Sequence, residues 1–568
     1  MPSPPIDDRK AGFLPLLVIL AVSAVLYLPC LRFDFVYDDK VQILSNPRLM
    51  SWSYVPSYFQ HHIWIHISQT GSYYRPLFLL WLRLNFALWG QNAALWHAST
   101  LLLHLVAITM VYLLLRRTLS DPFVVVIAAA IFALHPAHIE SVAWISGLTD
   151  SLMTVPLVGS LLVWLTFRER KRVALLIAAL MLFVVALMVK ETAALTPFVV
   201  FVYSYTLGRE EGLASPIGHA LRGFAAFTLV FAGYWALRWR ILQGEYAAAI
   251  RPLRDAVFNL PGMTWFYAKH LLWPVRLSVI YDFELTHATS MAVVAAILIA
   301  GVLAAGVLAS QRSNILFMAW AWVVFPIAIA VGGVTTFDPH DYVHDRYLYL
   351  PTLGLGLAVG WVLQHLQGGT RELFGKPALQ MAGVIGVLGG LAYATEVQLA
   401  PWTNNITLFS HAVQAAPENP VAYEHLAFEM YQRNDPVTAI NLYKESVALD
   451  PQDYRANFGL AVLLYRMQDW QDADTYCGHA DEIAPDSNNA CYEFQTMARI
   501  NLGQWEAAET PIRTAIRIWP NVTGQHLLLG RILVHEGRTQ DARSEFSREL
   551  QLDPNSNDAR VELQQLPR

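Results

Sequence analysis

The first 400 residues alternate between long apolar runs and short polar segments. A helix needs about 20 apolar residues to cross the hydrocarbon core of a bilayer, and the first run, roughly Phe13 to Leu31, reaches that length. Including it, we count about eleven runs and predict a polytopic helical membrane bundle. The other ten lie at roughly Leu95–Leu115, Pro122–Leu134, Leu152–Phe167, Val173–Val189, Ala193–Leu207, Ala220–Ala236, Met291–Ser310, Ile315–Val331, Leu348–Leu363 and Leu379–Leu391.

The loops between these runs predict the orientation of the bundle. Basic residues cluster in alternate loops, for example Arg116-Arg117 and Arg168–Arg172, and the positive-inside rule makes those loops cytoplasmic. With an odd number of spans, the C-terminal region then lies on the extracytoplasmic side. A twelfth candidate, Trp265–Ile280, is broken by Pro274, and we interpret it as an interfacial helix. The polar segment Met1–Gly12 precedes the first run without a cleavage site after it, which favours an uncleaved signal anchor.

After Pro401 the chain changes to charged, alanine-rich helix formers with a regular period. Prolines recur at spacings of 34, 34, 35 and 34 residues. An alanine stands twelve residues before each of the last four prolines. This period, with a small residue where two helices cross, is typical of tetratricopeptide repeats. We therefore predict an all-α chain with a membrane domain at 1–400 and a repeat α-solenoid at 401–568: a lone helix at Trp402–Ala416, three full repeats and part of a fourth. The repeating positions are Pro417, Pro451, Pro485, Pro520, Pro554, Ala439, Ala473, Ala508 and Ala542.

Composition excludes several classes of function. The chain is 55% apolar and 15% charged, whereas soluble domains carry about 25% charged residues. A net charge of −5 offers no basic surface, so no nucleic-acid partner is predicted. Phosphate-binding glycine loops and the G-x-S-x-G nucleophile motif are absent from the sequence. Three cysteines and no metal-ligand spacing predict neither a disulfide framework nor a metal site.

Polar and ionisable residues gather in the predicted outer loops. Asp38 and Asp39 follow the first run directly, where a membrane helix emerges into water. Because ionisable groups are costly inside hydrocarbon, their collection on one face indicates a site shared between membrane and water. The other candidates are Arg75, His138, Glu140, Asp150, Lys190, Glu191, Arg238, Tyr281, Arg346 and Tyr347.

Structural explanations remain open for these residues at this stage. The acidic pair is compatible with a solvated turn at a helix exit, and Arg75 with an interfacial arginine. Lys190-Glu191 and Asp345-Arg346 are compatible with local ion pairs, and Tyr347 with an aromatic at the bilayer edge. A guanidinium, however, matches a phosphate through its planar fork, which favours a functional role for Arg346.

Several short motifs stand in a fixed order along the chain. They are the acidic pair and NP turn in Phe35–Pro47, Tyr74–Leu77, His135–Trp144, Lys190-Glu191, Trp273-Pro274 to Tyr281, Arg346–Pro351 and the repeats. Together they resemble the polyprenyl-phosphate-dependent GT-C glycosyltransferases, and most closely the transmembrane and tetratricopeptide-repeat-containing O-mannosyltransferases and their bacterial relatives. The resemblance covers nearly the whole chain, although the family often has Glu where Asp345 stands.

The resemblance implies an inverting transfer of a sugar, often mannose, from a polyprenyl-phosphate carrier to a hydroxyl. Asp38 or Asp39 would then be the general base, and Glu140 a second acidic residue near the acceptor. The leaving phosphate would be stabilised by Arg346, Arg75 or Lys190. The donor would be a membrane lipid, and the repeats would present a protein or peptide acceptor outside a bacterial inner membrane or inside the endoplasmic reticulum.

Two other classes of function stay open. One is a membrane-anchored repeat scaffold that has lost activity. The other is an envelope polysaccharide polymerase, ligase or transporter with added repeats. A transporter typically shows an internal duplication of spans, which this sequence does not display.

Overall fold

The structure is a computed structural model that describes residues 13–67, 71–243, 251–337, 339–365, 372–373 and 376–567. The predicted polar segment Met1–Gly12 lies outside them. The chain divides into two compact units, Met1–His411 and Ala412–Arg568. The boundary therefore falls later than residue 400, so residues 401–411 belong to the first unit.

The first unit is almost entirely helical. Its two strands are only two residues long and pair antiparallel: β1 (Glu372–Leu373) and β2 (Lys376–Pro377). Its helices are α1 (Leu14–Tyr27), α2 (Val55–Tyr58), α3 (Pro76–Trp89), α4 (Ala93–Thr118), α5 (Pro122–Leu134), α6 (Ile139–Val142), α7 (Thr149–Arg170), α8 (Val173–Val189), α9 (Thr196–Glu210), α10 (Pro216–Leu242), α11 (Leu253–Leu272), α12 (Met291–Arg312), α13 (Asn314–Gly333), α14 (Pro351–His365) and α15 (Ala378–Leu399).

Shorter helical turns shape the segments that connect these helices. The segment after α1 contains a π-helix, Lys40–Leu44, a rare form that is frequent at functional sites. The 3-10 helices are Leu28–Arg32, Pro47–Leu49, Trp52–Tyr54, Pro136–His138, Ser146–Leu148, Glu191–Leu195, Asp345–Leu348 and Ala400–Thr403.

Each predicted apolar run coincides with a helix, but the helices differ in length. Among the described residues, seven helices are long and apolar enough to cross a membrane, and an eighth is added if α5 and the bent segment Pro136–Val142 form one span. The runs in α8, α9 and α14 form helices of only 17, 15 and 15 residues. Such helices are about 22–26 Å long, shorter than the hydrocarbon core of about 30 Å. The predicted count of about eleven therefore exceeds the seven or eight full-length spans.

The twelfth candidate differs from its predicted bounds. The helix in this region is α11, which starts at Leu253 and ends at Leu272, ahead of Pro274. Proline lacks an N–H and disfavours helical geometry in the residue before it, which explains the end of the helix. The residues after Pro274 up to Ser290 contain no helix. The predicted segment Trp265–Ile280 is thus half helix and half irregular chain.

Close packing between α5 and α14 builds the centre of the bundle. A side chain at Gly356 would lie 2.7 Å from the carbonyl oxygen of Ala128, and one at Gly360 would lie 2.9 Å from Val124. Glycines let membrane helices approach closely, so these two helices are held at short range. Since α5 leads into the segment that carries Glu140 and α14 follows Arg346, this contact helps to bring those two side chains together.

The second unit confirms the repeat prediction. The repeat alanines are fully buried, as are Phe546 and Ile512 four residues after two of them. A side chain at Gly530 would overlap the ring of Phe546 at 2.3 Å, which shows why a small residue is needed there. Four complete helix pairs follow α16, rather than three and part of a fourth, and α25 covers the last pair. Helix α16 (Asn405–Ala415) begins in the first unit and ends in the second. The helices after it are α17 (Pro420–Gln432), α18 (Pro436–Leu449), α19 (Tyr454–Arg466), α20 (Trp470–Ile483), α21 (Ala490–Asn501), α22 (Trp505–Ile518), α23 (Gln525–His535), α24 (Thr539–Leu552) and α25 (Asn557–Gln565).

Candidate functional site

The segment from Phe33 to Leu44, called the acid loop below, carries the predicted acidic pair. Asp39 is fully buried. One of its carboxylate oxygens accepts a hydrogen bond from the backbone N–H of Val36 at 3.1 Å, and the other accepts from the N–H of Ser146 at 2.7 Å. Burial raises the pKa of Asp39 to about 7, against the opposing effect of these hydrogen bonds. Asp38 is partly exposed. The two neighbouring carboxylates therefore have different environments.

Arg346 and Glu140 form one buried ion pair. The Arg346 guanidinium donates to Glu140, and the backbone N–H of Arg346 donates to the second carboxylate oxygen at 2.9 Å. The Glu140 side chain is 2% exposed and the Arg346 side chain 17%. A carboxylate bound through both oxygens fixes the position of the arginine at the start of its 3-10 helix.

Two further ion pairs join the other predicted cations to carboxylates. Lys190 Nζ lies 2.6 Å from Asp150 Oδ2, with both side chains almost fully buried. Arg75 binds Glu191 through two hydrogen bonds, one of them from Nε at 3.0 Å. Burial lowers the pKa of Lys190, and the nearby Asp150 carboxylate opposes that effect. Burial disfavours ionisation of Glu191, but the charge and hydrogen bonds of Arg75 outweigh it and lower its pKa to about 2.

These partners differ from the sequence neighbours that were considered as local pairs. Glu191 follows Lys190 in the chain but binds Arg75. Asp345 precedes Arg346 but accepts hydrogen bonds from His270 Nδ1 at 2.9 Å and from the hydroxyl of Tyr281. Adjacent residues project in different directions, so each finds its partner in another part of the fold.

Tyr347 lies between two of the ion pairs. Lys190 Nζ is 4.8 Å from the centre of its ring, and the Arg346 guanidinium carbon is 5.6 Å from it. The ring is buried and stacks on Phe337 at 5.8 Å. A buried ring between two cations differs from the bilayer-edge aromatic that was considered for this position.

Trp144 joins the acid loop to these ion pairs. Its ring stacks on Tyr37 with centroids 5.3 Å apart, and the Arg346 guanidinium carbon lies 5.2 Å from its centre. Tyr37 immediately precedes Asp38. The structure therefore brings the loop that carries the acidic pair and one candidate phosphate-binding cation, Arg346, into contact with the same indole ring.

His138 and Arg238 lie apart from the ion pairs. His138 hydrogen-bonds Thr352 at 2.9 Å and stacks on Tyr349 at 4.2 Å, which is a packing contact at the start of α14. Arg238 donates to the carbonyl oxygen of Ser72 at 2.5 Å. Since Ser72 is three residues before Arg75, Arg238 anchors the segment that presents that arginine.

Two site residues were missed by the sequence analysis. His270, on α11, holds Asp345 next to Arg346. Asn405 accepts a hydrogen bond from the backbone N–H of Tyr37 at 2.7 Å. His270 belongs to no motif, and Asn405 belongs only to a glycosylation sequon, Asn405-Ile406-Thr407, which does not indicate a contact with Tyr37. Each acts on a residue more than 70 positions away, so no local pattern indicates its role.

A comparison with family models finds three matches, which belong to two kinds of family. Residues 74–235 match the family described as dolichyl-phosphate-mannose-protein mannosyltransferase. Residues 430–498 and 497–557 match tetratricopeptide repeat models. The first match contains five of the six members of the three ion pairs, all except Arg346.

Similar proteins combine the same two parts. A protein O-mannosyl-transferase of Caenorhabditis elegans is 23% identical over 79% of this chain and 64% of its own length. The protein O-mannosyl-transferase TMTC3 of Homo sapiens is 21% identical over 95% of this chain and 64% of its own length. The chain thus spans just under two thirds of the length of these relatives.

Among solved structures, the tetratricopeptide repeat protein YrrB, described as having an unusual peptide-binding site, is 21% identical. The match covers 27% of this chain and 79% of YrrB, with a TM-score of 0.26. The family resemblance of the motifs is confirmed by the family models and the named relatives: this chain carries a segment that matches the mannosyltransferase model, followed by tetratricopeptide repeats, and it is similar to the TMTC protein O-mannosyl-transferases.

Proposed function

We propose that this chain is an integral-membrane glycosyltransferase that moves mannose or another hexose from a polyprenyl-phosphate carrier to a hydroxyl group of a protein. The observation that carries the proposal is that Trp144 contacts both Tyr37 of the acid loop and Arg346. In an inverting transfer, the general base and the phosphate-binding group act on the same anomeric carbon of one sugar. Contact of both groups with one indole ring supports their acting on a single bound sugar.

The cation cluster supports binding of a phosphate-linked donor. In the structure each of Arg75, Lys190 and Arg346 is neutralised by a carboxylate. A donor phosphate would therefore share these cations with their carboxylate partners. Arg346 is the most exposed of the three, and its guanidinium has the planar fork that matches phosphate oxygens.

The acidic pair supports general-base catalysis. Both oxygens of Asp39 accept backbone hydrogen bonds, so its main contribution is to hold the loop. Asp38 is partly exposed and is the better candidate to meet an acceptor. In the proposed reaction, the acceptor hydroxyl gives its proton to Asp38 while its oxygen bonds to C1 of the sugar. The bond from C1 to the phosphate oxygen breaks, the electron pair leaves with the polyprenyl phosphate, and the configuration at C1 inverts.

The second half of the proposal concerns the role of the repeats and the side of the membrane on which transfer takes place. Tetratricopeptide solenoids present extended concave surfaces, so the second unit would bind the protein acceptor. The acid loop and the repeats would lie on the extracytoplasmic side, in a bacterial inner membrane or in the endoplasmic reticulum. The alternation of basic loops supports this orientation.

The test is transfer by the purified full-length chain in lipid nanodiscs. Synthetic polyprenyl-phosphate mannose and polyprenyl-phosphate glucose serve as donors, and a folded protein and a short peptide serve as acceptors, with products identified by mass spectrometry. We expect one donor to be used, and Asp38→Asn to lower turnover by about 10²- to 10⁴-fold. Asp34→Asn, an exposed change in the same loop, is the matched control. Wild-type turnover in both Asp38→Asn and Asp39→Asn contradicts a base in the acid loop.

One observation favours a second candidate, the repeat scaffold without activity. All three candidate phosphate-binding cations already have carboxylate partners, which is also what a purely structural network requires. The same assay separates the two functions. A scaffold neither binds the lipid-linked sugar nor transfers it, whereas the proposed enzyme binds it with an affinity that falls in Arg346→Ala.

A further inference from the structure

The chain that follows the last long helix packs on the acid loop. The backbone N–H of Asp34 donates to the carbonyl oxygen of Thr403 at 3.0 Å. The ring of Trp402 stacks on Trp144 with centroids 6.4 Å apart, and Phe409 meets Tyr37 edge-on at 5.7 Å. By sequence these residues were assigned to the repeat domain. In the structure they belong to the first unit, which extends to His411.

Asn405 makes the most specific of these contacts. Its side chain is 6% exposed, and Oδ1 accepts the hydrogen bond of the Tyr37 N–H at 2.7 Å. Tyr37 has a φ of 53°, in the left-handed region that is unfavourable for a residue with a large side chain. Such a conformation persists only when the surrounding contacts determine it. Asn405, Trp144 and Phe409 supply those contacts.

The turn at Tyr37 sets the direction of the acidic pair. It reverses the chain just before Asp38 and Asp39, and the N–H of Asp39 closes it on the carbonyl oxygen of Val36 at 3.0 Å. If Tyr37 relaxed to an ordinary conformation, the following carboxylates would point elsewhere. The hydrogen bond from Tyr37 to Asn405 therefore acts on the residues that the proposed function uses.

We propose that Asn405 is a positioning residue, which holds Tyr37 in its left-handed turn and thereby aims the acidic pair at the acceptor. The catalytic part of this inference rests on the proposed function, whereas the geometric part does not. The segment 402–409, between the last long helix and the repeats, then contributes to the geometry of the site. Its hydrogen bonds to Asp34 and Tyr37 and the contact of Phe409 with Tyr37 are made with the acid loop, so its effect falls there.

Hydrogen exchange of the full-length protein tests the geometric part without any activity. Asn405→Ala removes the acceptor for the Tyr37 N–H, and we expect amide exchange in peptides covering residues 33–44 to become at least several-fold faster. The matched control is Asn404→Ala. The neighbouring Asn404 accepts from the N–H groups of Ile406 and Thr407, so its loss loosens the start of α16 and leaves the acid loop protected. Equal acceleration of the acid loop in both variants, or none in Asn405→Ala, overturns the proposal.

Kinetics test the catalytic part. Asn405→Ala is expected to lower kcat about tenfold with the dissociation constant of the polyprenyl-phosphate sugar unchanged. Asn405→Asp keeps an oxygen acceptor at the same place and is expected to recover most of kcat. A weaker donor affinity at unchanged kcat, or no recovery in Asn405→Asp, overturns the positioning role. If Asp38→Asn and Asp39→Asn are both fully active, the proposed function has failed instead, and the exchange result still decides whether Asn405 holds the loop.

Discussion

Lys190 and Asp150 form an ion pair of 2.6 Å in which the two side chains are only 1% and 3% exposed. Lys190 has another carboxylate beside it in the sequence, but Glu191 binds Arg75 instead. Two successive residues thus connect to two different parts of the bundle. Asp150 begins α7, whereas Arg75 precedes α3. The short segment between α8 and α9 therefore ties together helices that do not follow one another in the chain.

Removing one partner of the Lys190–Asp150 pair should destabilise the protein more than removing both. Lys190→Met leaves a buried carboxylate without its partner, and we expect a loss of about 3–5 kcal/mol in the free energy of unfolding. The double change Lys190→Met with Asp150→Leu removes both charges and should recover most of the stability, but no transfer activity. Thermal unfolding in detergent measures both. A single variant as stable as the wild type contradicts a pair in the folded protein.

Arg346 should depend on the shape of its side chain as well as on its charge. Arg346→Lys keeps the charge but loses the planar fork that binds Glu140 and faces Trp144, so turnover should fall about tenfold. Arg346→Ala should fall further because the phosphate then loses its charged partner. Transfer assays at saturating donor provide the measurement, with the exposed Arg312→Lys as control. Full activity in both Arg346 variants would assign this residue to packing alone.

Asp39 should make stability depend on pH near neutrality. Its pKa in the folded protein is about 7, above the value of about 3.9 for an exposed aspartate. Between these values the folded state binds more protons than the unfolded state, so stability should fall as the pH rises from about 4 to 7. Asp39→Asn removes this contribution and should flatten the dependence, whereas Asp34→Asn should keep it. Thermal unfolding at several pH values gives the comparison, and an unchanged slope in Asp39→Asn speaks against a buried, titrating Asp39.

The predicted orientation of the chain in the membrane can be tested by cysteine labelling. Arg170 and Gln551 are both exposed, and the alternation of basic loops predicts that they face opposite sides of the membrane. Single cysteines at these positions, in a variant without the three native cysteines, should react with an impermeant maleimide from opposite sides in sealed vesicles. Reaction from the same side would mean that the number of spans between them is even where we expect it to be odd.

Truncations on either side of residues 402–416 should behave differently. A chain that ends after Ala416 keeps the contacts of Trp402, Asn405 and Phe409 with the acid loop. We expect it to hydrolyse the donor slowly and to lose transfer to a folded protein acceptor more than transfer to a short peptide. A chain that ends after Pro401 lacks those contacts and should lose all three activities. Equal behaviour of the two truncations would show that the segment adds nothing to the site.

Local sequence patterns predicted most of the helices. The partners of the site residues were not predicted, because they depend on contacts between residues far apart in the chain. The apolar runs and the 34-residue period arise from helix and repeat geometry within short windows, so helices such as α4 and α20 follow from the sequence. The candidate residues were also found, because ionisable groups stand out between apolar runs. Their partners were not, since Arg346 binds Glu140 more than 200 positions away. The same is true of Tyr37, whose turn depends on Asn405.

The short helices of the bundle affect the depth in the bilayer at which a lipid-linked substrate would meet the candidate site. Helices α9 and α14 have 15 residues each and are about 22 Å long, so one whose last residue reaches one membrane surface begins about 8 Å inside the opposite edge of the hydrocarbon core. Glu191 and Arg346 stand at the beginnings of the segments that lead into these helices. The phosphate head group of the donor would then meet its cations below the lipid surface, while its isoprenoid chain remains among the acyl tails. The carrier would not have to be extracted from the bilayer for its sugar to be transferred.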